Sequence, residues 1–197
     1  MSAGPGRRPK EFLLPMPSRG VYSRIAFGRG ANERQAMKIE SNRFGVVEVP
    51  EDRVLQLVRP VIGFPEFDRF AVIEDPGSAP VLWLQAVGER QVLFPVIDAA
   101  WVPASTGVDL TDEEAAALGL ERAEDARLLF ILTLDPNPRD ITINLRAPIV
   151  WNTRRAMGMQ VVLPDPELPV SYPIGAVAGE RRSNKEVACA RPDAPQR

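Results

Sequence analysis

The chain has 197 residues, enough for one domain with margins or two small ones, and its 45% hydrophobic and 25% charged content is that of a globular protein able to bury a core. It contains no histidine and one cysteine, Cys189, in a polar terminal stretch; this removes imidazole-based triads, most catalytic zinc sites, disulfide frameworks and thiolate-held metals. The net charge of −2 hides a partition: residues 1–36 carry seven basic and two acidic side chains, residues 37–175 twelve and twenty-one, and residues 176–197 five and three.

Residues 1–36 are rich in Gly, Pro, Ser and Arg, show no period of 2 or 3.6, and read as a disordered basic leader. Arg7, Arg8 and Lys10 precede Phe12-Leu13-Leu14, but Pro15 and Pro17 cut that apolar run well short of a signal or membrane segment. A cytoplasmic location is the expectation. Regular patterning begins at Met37, a candidate translation start, with the upstream residues then not translated.

Residues 44–49 predict a strand ended by Pro50, residues 54–58 a second stopped by Pro60, and residues 70–74 a third closed by Asp75-Pro76-Gly77. Residues 81–87 and 91–97 flank Gly88-Glu89-Arg90 as a hairpin, and Pro95 within its second arm suggests an edge strand or a bulge. Thr111-Asp112-Glu113-Glu114 is a capping box that opens one short helix near 111–118, and Gly119 can close it.

The unalternating run Leu128–Leu132 reads as a strand covered on both faces. Ile141, Ile143 and Leu145 alternate, residues 148–151 resume after a break, and residues 160–163 form the last strand before Pro164. Short strands with turn signals at this spacing predict a mainly β fold over residues 37–175: one antiparallel domain, barrel-like or a sandwich. Residues 176–197 read as a disordered tail.

No phosphate-binding loop, dinucleotide fingerprint or calcium loop is present in the sequence, so no cofactor or metal is expected. Asp98, after a strongly apolar strand, is the best single candidate for a functional acid, with a strand-terminating turn role as the alternative. A carboxylate-based hydrolase on a β-barrel stays open on this ground, because paired carboxylates meet in space rather than in sequence. Direct nucleic-acid binding by the acidic middle is disfavoured, since phosphate affinity comes from clustered Lys and Arg; the basic leader keeps an RNA-binding reading open. An acidic domain would instead attract a basic protein.

The run Ile141-Thr142-Ile143-Asn144-Leu145-Arg146-Ala147-Pro148-Ile149-Val150-Trp151-Asn152, followed by Gly158-Met159-Gln160-Val161-Val162-Leu163, resembles the signature of the flagellar assembly factor FliW family. Met37-Lys38-Ile39-Glu40 with Phe44-Gly45 is similar to that family's opening, Gly63-Phe64 to its Pro-Gly-Phe, and Trp83–Val87 to its Leu-Gln-Ser-Val strand. Ile62, Ala86 and Ala99 depart from the family pattern near turns.

The resemblance spans roughly residues 37–175. It implies a cytoplasmic, non-enzymatic β-barrel-like protein with two partners: the translational regulator CsrA, whose repression of flagellin synthesis it antagonises, and flagellin, held through its C-terminal region. No membrane partner is implied. The candidate partner-binding residues are Asn144, Arg146, Asn152 and Gln160, polar positions in an apolar strand context, and Phe64 and Phe67 in a Gly/Pro-rich loop. For the polar residues the alternative is satisfaction of backbone groups at a strand break. For the two rings it is plugging of a barrel end.

Overall fold

The structure is a computed structural model in which residues 12–14, 36–102 and 107–175 are described. In chain order the elements are β1 (Phe12–Leu14), β2 (Ala36–Ser41), β3 (Gly45–Pro50), β4 (Val54–Arg59), β5 (Arg69–Glu74), β6 (Leu82–Ala86) and β7 (Leu93–Asp98). They continue as β8 (Val108–Leu110), α1 (Asp112–Leu118), β9 (Ala126–Thr133), β10 (Thr142–Ile143), β11 (Ile149–Asn152), β12 (Met157–Gln160) and β13 (Tyr172–Pro173).

Seven of these strands close on themselves. The order β11-β12-β4-β5-β6-β7-β9 is completed by a direct β9–β11 pairing, so the fold is a barrel rather than a sandwich. Closure removes the open edges that an antiparallel sheet would otherwise present. β9 achieves it by being long: Ala126–Leu129 pair with β11 on one side, Leu129–Ile131 with β7 on the other, and Leu132–Thr133 with β10. One pairing departs from the all-antiparallel expectation, since β12 runs parallel to β4, with a register shift between Gly158 and Met159.

Side-chain alternation sorts the apolar residues into layers. Leu55, Leu57, Phe70, Val72, Leu84, Val96, Leu129, Ile149 and Trp151 form one buried cluster, drawn from alternate positions around the ring, and so fill the barrel. Trp151 stands opposite Gly158 in the ladder. A Cβ at Gly158 would lie 2.9 Å from Leu57 and 3.1 Å from Leu55, so the largest interior ring is matched by a residue without a side chain.

The outer faces are covered as well. Ile39 and Val49 of the β2–β3 hairpin pack on Ala71, Ile73 and Trp83, and the Arg43 guanidinium lies 4.2 Å from the Trp83 ring centroid. Leu110, Leu118, Ile143 and Leu163 cover Leu128, Phe130 and Val150 on the opposite side. Double coverage explains why Leu128–Leu132 does not alternate: its residues serve two cores. Each fully buried Leu, Ile or Phe contributes about 1.5–3 kcal/mol.

The helix follows its sequence signals closely. Thr111 Oγ1 accepts from the Glu114 amide at 3.2 Å, Glu114 Oε2 accepts from the Thr111 amide at 3.1 Å, and Gly119 ends the helix at φ 62°.

Two expectations need correction. The last barrel strand is Met157–Gln160, not residues 160–163; Val161 and Leu163 are buried and so mimic a strand, but their amides bond the carbonyls of Pro148 and Arg146 at the break. Pro95 lies neither on an edge strand nor at a bulge: β7 is paired on both sides, and the missing N–H is tolerated because the β9 pairing begins only at Val96. Within the leader, Phe12–Leu14 pairs with β8, a contact too short to leave any periodicity.

Candidate partner-binding surface

The signature residues lie where the barrel ladder is interrupted. Asn144 follows β10, donates its own N–H to the Ile131 carbonyl at 2.9 Å, and accepts at Oδ1 from the amides of Arg146 (3.0 Å) and Ala147 (3.1 Å). Pro148 has no N–H and ends this segment. Gln160 then bridges the gap. Its Nε2 donates to the Ala147 carbonyl at 3.1 Å, and its Oε1 accepts from the Ile62 amide at 2.9 Å.

That last bond ties the break to the 61–67 turn, which carries both phenylalanines. Phe64 meets Phe94 edge-on at 4.8 Å between centroids, Phe67 lies 6.4 Å from Phe64 and from Phe70, and both are half-buried. The rings plug one end of the barrel while keeping an outer face. Ile62 beside them is 64% exposed, and Val162, two residues beyond Gln160, is 54% exposed. The structure thus brings Asn144, Arg146, Gln160, Phe64 and Phe67 into one neighbourhood, linked through Ala147 and Ile62.

Asn152 lies elsewhere. It is 1% exposed, with Nδ2 donating to the carbonyls of Leu118 and Gly119 (3.0 Å each) and Oδ1 accepting from the amides of Arg154 (3.0 Å) and Arg155 (3.3 Å). It pins the end of α1 to the β11–β12 turn.

Asp98 sits at the other end of the barrel. Its Oδ1 caps the turn at Ala100, and its Oδ2 forms a buried ion pair with Arg127, whose guanidinium also lies 5.7 Å from the Trp151 ring centroid. A cleft of about 310 Å³ opens there between Glu74, Asp75, Pro80, Leu82 and Trp101. Its carboxylates are engaged: Glu74 with Arg53 at 3.8 Å, Asp75 with the Gly77 amide at 3.0 Å, Asp98 with Arg127. Among the described residues no group of three or more His, Cys, Asp or Glu side chains could hold a metal ion, and no helix is long and apolar enough to cross a membrane.

Sequence reasoning missed Arg127 and Ile62. A charge immediately before a five-residue apolar run was the available signal for the first. For the second, only the Gln160 contact reveals the placement.

These features define a class: a closed seven-stranded β-barrel with both outer faces covered and a half-exposed aromatic ridge at one end. Residues 38–174 match the family model described as FliW protein. The flagellar assembly factor FliW of Syntrophus aciditrophicus is 34% identical over 138 residues, covering 70% of this chain and 87% of that protein. Its counterpart in Exiguobacterium sp. (strain AT1b) is 34% identical over 146 residues, 74% of this chain and all of that one. A crystal structure of the flagellar assembly factor FliW superposes with a TM-score of 0.64 at 27% identity, covering 70% of this chain and 96% of that chain. The chain belongs to the FliW family.

Proposed function

We propose that this chain is a flagellar assembly factor that acts in the cytoplasm by binding, not by catalysis, and alternates between two protein partners. One is CsrA, whose repression of flagellin translation it relieves. The other is flagellin, engaged through its C-terminal region in a chaperone-like way. Accumulating flagellin occupies the barrel and leaves CsrA free to repress; export of flagellin releases the barrel to antagonise CsrA.

The observation that carries this reading is family membership across the whole acidic domain, residues 38–174. The excess of acidic over basic side chains in residues 37–175 supports it, because a negative surface attracts a basic RNA-binding protein and speeds encounter. The contact surface we assign comprises the 61–67 turn and the 144–148 break, with Phe64 and Phe67 as apolar anchors and Arg146 and Gln160 beside them. Aromatic side chains and Arg dominate interface hot spots.

Calorimetric titration of the full chain with CsrA from the same genome, repeated with flagellin present, tests the reading. Binding that flagellin abolishes or weakens supports it. Absence of CsrA binding with flagellin binding intact removes the regulatory half.

A further inference from the structure

Among the described residues, the β8 strand lies outside the barrel and pairs with a single partner. That partner is β1, from the basic leader: Phe12 stands opposite Leu110, Leu13 opposite Asp109 and Leu14 opposite Val108, in antiparallel register. On β8, Val108 and Leu110 are buried and Asp109 is exposed, so one face of this strand belongs to the core while its edge is available for backbone pairing. From Leu110 the chain runs directly into Thr111, Asp112, Glu113 and Glu114, the acidic first turn of α1. On the leader, the sequence before Phe12 carries Arg7, Arg8 and Lys10 against one acid, Glu11. In this register the N-terminal end of β1, Phe12, lies beside Leu110, the residue that leads into the acidic turn, so strand direction and the net-basic sequence before Phe12 favour the same docking.

We infer that the edge of β8 is a strand-addition site for a short extended apolar segment in a net-basic sequence, and that Phe12–Leu14 of this chain is its occupant in cis. The leader is then a built-in competitor: a segment of the same chemistry on another protein must displace it to pair with β8. The inference goes beyond the two-partner switch and does not rest on it.

The test uses the full chain and hydrogen–deuterium exchange at the amides of Val108, Asp109 and Leu110. In the variant Phe12→Asp, Leu13→Pro, Leu14→Asp, exchange at one or more of these amides should rise at least about tenfold over the unmodified chain, while the amides of β9 stay protected. A synthetic peptide of residues 7–17 added to that variant should bind and restore protection. It should bind the unmodified chain at least about tenfold more weakly, because the cis segment holds the edge. The variant Arg8→Glu, Lys10→Glu leaves the apolar residues in place and should speed exchange at the same amides. Unchanged exchange in both variants, or a peptide that fails to bind the emptied edge, overturns the inference.

Discussion

Asn152→Ala is the substitution whose cost can be read most directly from the geometry. The side chain makes four hydrogen bonds, two to helix-end carbonyls and two from turn amides. The bond to the Leu118 carbonyl is fully buried, and an orphaned carbonyl there costs about 1–3 kcal/mol; the other three are partly buried, so water replaces them at about 0.5–1 kcal/mol each. The sum is about 2.5–6 kcal/mol, which lowers the midpoint of thermal unfolding by about 8–18 °C for a domain of this size. Asn152→Asp keeps the Oδ1 acceptor but replaces the donor with an anionic oxygen facing two carbonyls, so at neutral pH it should be no more stable than the alanine variant. Differential scanning calorimetry reads both. A midpoint within about 2 °C of the unmodified protein for Asn152→Ala would refute the four-bond account.

Ile149→Asp puts an unpaired charge at a fully buried barrel position and should cost more than about 4 kcal/mol; a soluble variant with an unchanged midpoint would contradict the interior placement. Gly119→Ala forces a left-handed backbone on a residue with a side chain, at about 1–2 kcal/mol, and drives a methyl within 2.7 Å of Arg155, which pairs with Glu121. Its midpoint should fall, and an unchanged one would count against that cap. The fragment of residues 37–175 should unfold in one cooperative transition, since all three buried clusters lie within it; a broad, non-cooperative melt would show that the flanks are needed. Raising salt from about 0.05 to 0.5 M should slow association with CsrA several-fold if the acidic surface steers encounter, and an on-rate indifferent to salt would exclude that role.

Local structure was legible where short-range chemistry decides it. The capping box at Thr111, the left-handed Gly119 and the hairpin around Gly88-Glu89-Arg90 all need only neighbouring residues, and all form. What was hidden depends on distant partners. Nothing near Val161 shows that its amide will bond the Pro148 carbonyl instead of a strand. Pro95 could not be seen to fall one residue before the β9 pairing begins. The Asp98–Arg127 pair joins residues 29 apart, and sequence could offer Asp98 only as an acid awaiting a partner. The parallel β4–β12 contact that completes the ring spans about a hundred residues. Within the candidate surface, residue types were readable but proximity was not: Gln160 and Phe64 become neighbours only through the Ile62 amide.

The geometry also separates two meanings of the signature run. Asn144 and Gln160 occupy the break in the closed ladder, where their amide groups serve backbone atoms, and Asn152 serves the end of α1 in the same way. A residue so engaged is constrained by the barrel whatever the barrel binds. Under the proposed function, partner recognition falls to groups with surface to spare: the outer faces of Phe64 and Phe67, the exposed Ile62 and Val162, and the half-buried Arg146. Substitutions at the first set should act through stability, at Asn144 and Gln160 by loosening the break that is tied to the 61–67 turn and at Asn152 by freeing the end of α1. Substitutions at the second set should leave the unfolding midpoint nearly unchanged and can weaken one partner without the other. Under the proposed two-partner function, discrimination between partners is then expected from the apolar ridge rather than from the polar signature that marks the family.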